Sequence, residues 1–239
     1  MAGQLGTGPV MAFDFGAACS GFIYGLSICR ALLAQQPDAK ILFVCTEALT
    51  RRVNWADRST CVLFGDAATA CIVAGSPGNV VAGLEDVICQ SDGTQRDLIV
   101  VGGGTSSRYA KGDPVDDDFF ITMQGRETYK HAVRNMVHIC EDVLTRNGLT
   151  AKDVNLLVPH QANMRIIEAV AHRMEVPMEK VLVDIQHYGN TSAGTLPLCI
   201  WDFEEKLKKG DNIIFTAFGA GFTWGAVYVK WGYDGKKES

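Results

Sequence analysis

The sequence predicts an α/β protein, because strand-like runs alternate with patterns typical of amphipathic helices. The strand-like runs are rich in Val, Ile and Phe and cover residues 10–16, 41–46, 154–158, 181–185 and 212–217. Between several of these runs, apolar residues recur at helical spacing. This alternation is typical of βαβ units, so we expect a largely parallel sheet that is buried on both faces.

The clearest helix pattern begins at Ser20. Its apolar residues fall on one stripe of a helix, and they are Phe22, Leu26, Cys29 and Leu33. Pro37 follows the pattern, and proline is common just beyond the end of a helix. We therefore expect one face of this helix to pack against the sheet.

The composition is that of a globular chain and argues against a nucleic-acid partner. The chain has 239 residues, of which 47% are hydrophobic, and a formal net charge of −5. This length and apolar content suffice for a substantial core. A nucleic-acid-binding protein needs Lys and Arg to neutralise phosphates, and no such run is present.

The cysteines and the hydropathy pattern indicate the compartment. The eight cysteines are spread singly along the chain, with no repeated CxxC spacing. Free thiols in a reducing compartment fit this pattern better than disulfides. No early apolar stretch has the flanks of a signal peptide, and none approaches the ~20 residues that a membrane span needs. We expect a cytoplasmic protein that does not associate with membranes.

The chain divides into two halves that resemble loose copies of each other. The polar stretch from Ser106 to Asp118 is interpreted as the connection, which gives halves at 1–117 and 118–239. In each half, a polar residue lies between a strand pattern and the start of a helix pattern. This residue is Cys19 in the first half and Asn190 in the second. About 60 residues of helix and strand pattern precede Asn190 in its half, whereas 18 residues precede Cys19. The first half is therefore predicted to be short at its N-terminal side.

Cys19 is the candidate nucleophile. It lies between the strand-like run and the helix pattern, where free backbone N–H groups and the helix macrodipole favour the thiolate. An apolar-flanked cysteine is more often an inert packing residue. Its position at the strand-to-helix turn favours the catalytic interpretation over that one.

Two further polar residues follow strand patterns. His160 ends the run at 154–158, and Asn190 lies in the Gly-rich stretch after the run at 181–185. Taken singly, His160 is most simply a loop residue and Asn190 an Asx turn or helix cap. Together with Cys19, they suit carbon–carbon bond formation from thioesters better than hydrolysis. Two neutral donors, His160 Nε2–H and the Asn190 amide, would stabilise the enolate that forms as CO₂ leaves, at ~3 kcal/mol per donor.

A Gly-rich turn between two apolar strands, residues 217–225, is predicted to be a β-hairpin. Its small residues would also let backbone N–H groups approach a substrate. The N–H groups of Cys19 and Ala220 are therefore the candidate oxyanion hole.

Five segments carry a resemblance to a known family. They are Ala17-Ala18-Cys19-Ser20-Gly21-Phe22, Asp57-Arg58-Ser59-Thr60 with Phe64-Gly65-Asp66, Pro159-His160-Gln161-Ala162-Asn163, Tyr188-Gly189-Asn190-Thr191-Ser192 and Phe218-Gly219-Ala220-Gly221-Phe222-Thr223-Trp224-Gly225. In order and spacing they resemble the motif set of 3-oxoacyl-[acyl-carrier-protein] synthase III, a condensing enzyme with a thiolase-like fold. The resemblance runs from about Gln4 to Trp231. It implies two repeated halves in five layers, α-β-α-β-α, with roughly the first quarter to third of the family's chain lacking a counterpart here.

The resemblance also implies a reaction and its participants. Cys19 would take a short acyl group from coenzyme A, and His160 with Asn190 would drive decarboxylative condensation with malonyl-[acyl-carrier-protein], which initiates fatty-acid synthesis. Coenzyme A is then a substrate, and no metal or other cofactor is implied. The implied binding residues are Arg58 at the adenine, Gly125, Asn163 and Phe218 along the pantetheine tunnel, and Lys130, Arg165 and Arg173 at the carrier protein. The implied assembly is a homodimer.

Three alternatives remain open at this point. A type III polyketide synthase shares the Cys, His and Asn set, although the segments around His160 and Trp224 favour the fatty-acid enzyme. A hydrolase fits less well. A non-catalytic fragment or assembly subunit is supported by the short first half, for which we expect poor acetyl loading by this chain alone. Ser20 stands where a small Ala is common in the family, and we expect this change to be neutral.

Overall fold

The computed structural model describes residues 2–75, 82–102, 114 and 117–235. The helices are α1 (Ala2–Leu5), α2 (Gly21–Gln35), α3 (Gly125–Arg146), α4 (Met164–Arg173), α5 (Ile185–Tyr188) and α6 (Thr195–Asp202). The strands are β1 (Lys40–Ala48), β2 (Asp66–Ala74), β3 (Gly83–Ser91), β4 (Ile99–Val101), β5 (Ile121–Met123), β6 (Leu156–Pro159), β7 (Asn212–Gly219) and β8 (Thr223–Lys230). The predicted α/β class is confirmed.

The strands form three sheets that are mostly antiparallel. A four-stranded sheet has the order β3-β8-β7-β6, and the pairs β1-β2 and β4-β5 form two smaller sheets. Only β6 and β7 pair in parallel, whereas the other strand pairs among the described residues are antiparallel. The expectation of a largely parallel sheet was wrong, because β7 and β8 form the Gly-rich hairpin and β3 adds to β8 on its far side.

Two of the predicted strands do not form. Residues 10–16 form no regular secondary structure and no ladder pairing, and Val10, Met11 and Phe13 each expose more than half of their surface. A strand requires a neighbouring strand to pair its backbone, and no strand pairs with this segment in the described part of the chain. The run at 181–185 makes a single bridge, from Val181 to Leu157, and then turns into α5 at Ile185.

The four-stranded sheet is covered on both faces. Along β7, Ile213, Phe215 and Ala217 belong to one buried cluster, while Ile214 and Phe218 belong to the other. The first cluster contains α2, α6 and β1, and the second contains α3 and α4. The described residues thus form four successive layers. These are α3 with α4, then the four-stranded sheet, then α2 with α6, and finally the β1-β2 sheet. This order corresponds to four of the five predicted layers.

Helix α2 lies between the two sheets. The helical stretch Ala18–Gln35, with its leading 3₁₀ turn, is long and apolar enough by composition to cross a membrane, contrary to the sequence-based expectation. Its buried residues instead explain this apolar character, since Phe22 stacks on Phe43 of β1 at a centroid distance of 5.5 Å and Ile23 is fully buried. Gly25 lies against the Phe43 ring, where a Cβ would come within 2.1 Å of it.

A buried carboxylate joins three elements at the far end of the sheet. Asp86, on β3 at a register shift, is 5% exposed. Its oxygens accept hydrogen bonds at 3.0 Å from Arg146 and from Asn147 at the end of α3. Arg30 of α2 lies 3.6 Å away. The charge of Asp86 is therefore matched by partners from both helices.

The predicted boundary between halves falls mostly outside the described residues. Strand β3 comes from the predicted first half, yet it pairs with β8 from the second. The division at 117/118 stays a prediction.

Candidate active site

Cys19 lies in the 3₁₀ turn Ala18–Ser20 that leads into α2. The turn is tied to the start of β8: Ser20 Oγ donates to the Thr223 carbonyl at 2.9 Å, and Thr223 Oγ1 donates to the Ala17 carbonyl at 2.9 Å. Ala18 has a φ of 46°, which is unusual for a residue with a Cβ. These tertiary hydrogen bonds hold the strained turn in place. Ser20, which sequence reasoning treated as neutral, is fully buried and makes one of them.

The environment of Cys19 favours the thiol. Burial raises the pKa of Cys19 to about 11, and the nearby Glu47 carboxylate adds to the rise. The side chains of Ser192 and Asn190 interact with the thiol in the opposite direction. Desolvation by burial is the largest cause of this raised pKa, and the expected effect of the helix terminus on the thiolate stays a prediction. Activation of Cys19 requires removal of its proton as the reaction proceeds.

His160 continues the β6 strand, and its N–H donates to the Thr216 carbonyl of β7 at 2.8 Å. The imidazole is 2% exposed. Its Nδ1 lies 2.7 Å from Thr195 Oγ1, whereas Nε2 is buried with no hydrogen-bond partner among the described residues. Burial lowers the pKa of His160 to about 3, so the ring is neutral near pH 7.

Asn190 is positioned by a segment far away in sequence. Its N–H donates to the Leu63 carbonyl at 2.8 Å, and its carbonyl accepts from Gly65 N–H at 3.0 Å. A Cβ on Gly65 would lie 2.2 Å from the Tyr188 carbonyl, so only glycine fits this close approach. The side-chain Oδ1 accepts from Ser192 N–H at 2.8 Å, so the amide NH₂ is the end that can donate within the site.

These three residues meet around one short segment, Asn190 to Thr195. Asn190 and Ser192 interact with the Cys19 thiol, and Thr195 contacts the His160 ring. Gly219 at the end of β7 packs against the Cys19 backbone, where an added Cβ would come within 2.6 Å of Cys19 N. The buried site therefore combines a thiol, a neutral imidazole and an oriented amide.

This chain is similar to known proteins in sequence and in fold. Two family models match it, 3-oxoacyl-[acyl-carrier-protein] synthase III at residues 13–93 and the C-terminal model of the same family at residues 144–231. A beta-ketoacyl-[acyl-carrier-protein] synthase III from Nitratidesulfovibrio vulgaris (strain Miyazaki F) is 56% identical over 95% of this chain and 68% of its own length. The chain belongs to the 3-oxoacyl-[acyl-carrier-protein] synthase III family. It is therefore a condensing acyltransferase by family.

Other relatives and solved structures agree with this family. Beta-ketoacyl-[acyl-carrier-protein] synthase III 2 from Bacteroides thetaiotaomicron is 51% identical over 99% of this chain and 70% of its own length. The crystal structure of the synthase III from Aquifex aeolicus matches with a TM-score of 0.85 and 40% identity, over 96% of this chain and 70% of that one. The crystal structure of the synthase III from Pseudomonas aeruginosa matches with a TM-score of 0.87 and 34% identity, and the match covers 98% of this chain and 71% of that one.

Four further residues are predicted to contact coenzyme A, and the structure shows their surroundings. Arg58 is exposed in the loop after Val53, and Gly125 is exposed at the start of α3 with open space where a Cβ would be. Asn163 caps α4, since its Oδ1 accepts from Arg165 N–H at 2.9 Å. Phe218 is 4% exposed and packs on Phe222, with centroids 4.6 Å apart. Their roles in binding stay predictions.

The three residues predicted to meet the carrier protein lie on α3 and α4. Arg165 and Arg173 are exposed on α4, and neither forms an ion pair within the part of the chain that the structure describes. Lys130 pairs with Glu127 at 2.8 Å. On the same helix, Met164 is 37% exposed, whereas Ile166 is buried.

Several site residues were missed by sequence reasoning. Ser192 and Thr195 lie two and five residues after Asn190; Ser192 was interpreted only as part of a Gly-rich stretch, and Thr195 was not singled out. Glu47 on β1 reaches the same segment, and its Oε1 accepts from Ala193 N–H at 3.3 Å. Gln161 is fully buried and bridges Pro159, Leu182 and Asp184 through its amide. The hydroxyl residues that closely follow the candidate Asn190 are a sequence signal that could have indicated Ser192 and Thr195. The Glu47 contact depends on tertiary structure, and no sequence signal indicates it.

Proposed function

We propose that this chain condenses a short acyl thioester of coenzyme A, such as acetyl-coenzyme A, with malonyl-[acyl-carrier-protein] to give a 3-ketoacyl product, the first step of fatty-acid synthesis. The observation that carries the proposal is the meeting of Cys19, His160 and Asn190 around residues 190–195. Family membership supports the same reaction.

In the first half-reaction, Cys19 takes the acyl group. Its sulfur attacks the thioester carbonyl, and coenzyme A leaves as a thiol once it has gained a proton. The N–H groups of Cys19 and Ala220 are the proposed oxyanion hole, each worth ~3 kcal/mol to the tetrahedral intermediate. The close packing of Gly219 on the Cys19 backbone supports this assignment, because it brings the following residue, Ala220, near the nucleophile.

In the second half-reaction, the malonyl group loses CO₂ and the resulting enolate attacks the acyl group on Cys19. The amide NH₂ of Asn190 is fixed by the bond from Ser192 N–H to its Oδ1, and it would donate to the developing enolate oxygen. Cys19 leaves as the thiolate, which then takes a proton. The part played by His160 depends on which ring nitrogen carries its one proton.

Binding is assigned to the surfaces on both sides of this site. Arg58 would meet the adenine of coenzyme A, and Gly125, Asn163 and Phe218 would line the pantetheine path. The open space at Gly125 supports its place there, since a glycine leaves room for a ligand. A coenzyme A thioester is a substrate in this proposal, and the steps use only thiol, imidazole, amide and backbone groups.

The proposed macromolecular partners are the acyl carrier protein and a second copy of the chain. Arg165 and Arg173 form no ion pair among the described residues, and their exposed charges support docking of an acidic carrier surface, with Lys130 on α3. The exposed apolar residues at 10–15 support burial in a homodimer. The eight free cysteines support a reducing compartment, the cytoplasm.

The test is site-specific acylation followed by condensation. The chain is incubated with labelled acetyl-coenzyme A, and the label is located by peptide mass spectrometry. We expect the label on Cys19, at a low level with this chain alone, absent in Cys19→Ala, and transferred to a 3-ketoacyl product when malonyl-[acyl-carrier-protein] is added. Label spread equally over other cysteines, or an acetyl-Cys19 that does not turn over, would contradict the proposal and favour an assembly role.

One observation favours a second candidate. The priming beta-ketosynthase of the R1128 polyketide pathway matches this chain with a TM-score of 0.85 and 30% identity. A priming role in polyketide synthesis uses the same chemistry with a different carrier protein. Side-by-side turnover with a fatty-acid and a polyketide malonyl carrier protein distinguishes the two, and we expect faster turnover with the fatty-acid carrier.

A further inference from the structure

The side-chain amide of Gln161 lies inside the core, beside the end of β6. Gln161 is fully buried. Its Nε2 donates to the Pro159 carbonyl at 2.7 Å and to the Leu182 carbonyl at 3.2 Å. Its Oε1 accepts from Asp184 N–H at 3.2 Å. All three partners are backbone groups, and they fix the orientation of the amide, because two carbonyls need donors and one N–H needs an acceptor.

Pro159 explains why a side chain is needed at this place. Leu182 N–H donates to the Leu157 carbonyl of β6 at 3.0 Å, as in a parallel ladder. The next step of that ladder would join the N–H of residue 159 to the Leu182 carbonyl, and Asp184 N–H to the Pro159 carbonyl. Proline has no N–H, so the first of these bonds cannot form. The Gln161 amide lies between the same backbone groups and satisfies all three, so it takes the place of one ladder step.

The two segments that this amide joins lead to two residues of the site. His160 lies between β6 and Gln161 in sequence. Asp184 immediately precedes the single-turn helix α5, and Asn190 lies two residues after that helix. His187 N–H donates to the Asp184 carbonyl at 2.8 Å, which fixes Asp184 to α5. A shift of Asp184 relative to β6 would therefore also shift α5, which leads to Asn190.

We propose that Gln161 is a positioning residue, whose buried amide fixes the spacing between the strand end that carries His160 and the segment that leads to Asn190. The inference rests on the proposed function and deepens it. Direct pairing of the two segments would bring them closer together, and loss of the amide without direct pairing would leave buried backbone groups unsatisfied. In both cases the distance between His160 and Asn190 would change.

This spacing matters for one of the two half-reactions. In the proposed condensation step, the Asn190 amide donates to the enolate oxygen, and the family resemblance implies that His160 acts on the same malonyl group. Both side chains must then reach one small group at the same time. Acyl transfer to Cys19 instead uses the N–H groups of Cys19 and Ala220, which belong to the turns before α2 and after β7.

Hydrogen exchange of the unmodified chain, followed by NMR, tests the place of the amide directly. We expect the side-chain N–H protons of Gln161 to exchange at least about tenfold more slowly than those of Gln186, which is exposed on α5. The Asp184 backbone N–H should be protected as well. Equal exchange of the Gln161 and Gln186 side chains would overturn the proposal, whether or not the chain is active.

Gln161→Met tests the function of the amide, because methionine has a similar length and cannot make these hydrogen bonds. We expect condensation from acetylated Cys19 to slow about tenfold or more, and acetylation of Cys19 to slow less than about twofold. Labelled peptides measure acetylation, and formation of the 3-ketoacyl product measures condensation. Gln186→Met makes the same change at an exposed position and should leave both rates unchanged.

Asp86→Asn separates positioning from stability. It removes a buried charge at the far end of the sheet, so the chain loses stability there while the ratio of the two rates should stay the same. A lower ratio in Asp86→Asn, or equal slowing of both rates in Gln161→Met, would show that Gln161 acts through stability alone and would overturn its positioning role. Absence of acetyl transfer in the unmodified chain would contradict the proposed function, whereas slow exchange of the Gln161 amide would still support its place between the two segments.

Discussion

At the residue scale, the charge of Glu47 works against ionisation of Cys19. The Glu47 carboxylate raises the pKa of the Cys19 thiol, in addition to the effect of burial. Glu47→Gln removes this negative charge, so the pKa of Cys19 is expected to fall. We expect alkylation of Cys19 by iodoacetamide at about pH 8 to become a few-fold faster, since the thiolate is the reactive form.

The control for this prediction is Glu179→Gln, the same chemical change at an exposed position. Peptide mass spectrometry restricts the rate to Cys19. Slower alkylation in Glu47→Gln would contradict the prediction and would indicate that the carboxylate assists loss of the thiol proton.

The neutral His160 also makes the stability of the fold depend on pH. Burial lowers the pKa of His160 to about 3 from an unfolded value of 6.5. Above the unfolded value neither state binds the proton, whereas below it only the unfolded state does, so stability falls with pH from about 6.5 down to 3. The loss between pH 6.5 and pH 5 is about 2 kcal/mol in the free energy of unfolding.

Urea denaturation at pH 7 and pH 5 measures this effect. We expect the difference in unfolding free energy between the two pH values to shrink in His160→Gln by about that amount. His172→Gln, at an exposed position on α4, is the matched control and should keep the difference. An identical pH difference in His160→Gln would show that the buried ring is not its source.

At the element scale, Asp86 holds α2 and α3 against the sheet. Asp86 is 5% exposed and accepts at 3.0 Å from the exposed Arg146 and from the half-buried Asn147, so replacing it removes the charged acceptor from both bonds. We expect Asp86→Asn to lower the free energy of unfolding by about 2 kcal/mol, the usual contribution of hydrogen bonds to a charged group. The exposed Asp97→Asn should change it by less than about 0.5 kcal/mol. Urea denaturation of both variants measures the contrast.

The loop before β2 positions the Asn190 amide, and this dependence can be tested separately from stability. A Cβ at Gly65 would overlap the Tyr188 carbonyl, and either this carbonyl or the Leu63–Gly65 backbone must shift. We expect Gly65→Ala to slow the condensation step more than tenfold and the acetylation of Cys19 much less. Gly93→Ala is the control, because nothing lies within 4 Å of a Cβ there. Equal losses in both steps would point to general misfolding.

The same elements show what could be predicted from the sequence. The β7-β8 hairpin and the start of α2 follow from local patterns of glycine and apolar residues, and both are confirmed. The run at 10–16 has equally good strand propensity, but a strand also needs a neighbour to pair with. The partners of Asn190, at Leu63 and Gly65, lie more than a hundred residues away in sequence. Local pattern cannot indicate such contacts, which is also why Glu47 was missed.

At the scale of the whole molecule, the short segment from His160 to Asn163 connects the site to α4, the proposed carrier-binding helix. His160 directly follows β6, Asn163 caps α4, and α4 carries Arg165 and Arg173 as exposed residues. A carrier protein bound to this helix would therefore approach the same end of the sheet at which His160 lies. The chain as a whole is acidic, with a formal net charge of −5. Docking of an acidic partner then depends on this local basic surface, because the overall charge repels it.

This arrangement predicts a split between the two substrates. We expect the double variant Arg165→Glu with Arg173→Glu to raise the KM for malonyl-[acyl-carrier-protein] at least tenfold, because two attractive charges become repulsive. Loading of Cys19 from acetyl-coenzyme A, which does not use the carrier protein, is the internal reference. Lys152→Glu changes an exposed charge on the turn before β6 and is the matched control. The KM of the unmodified chain should also rise with salt, and that of the double variant should not, since screening weakens attraction and repulsion alike. A double variant with an unchanged KM and the original salt dependence would place carrier docking on another face of the molecule.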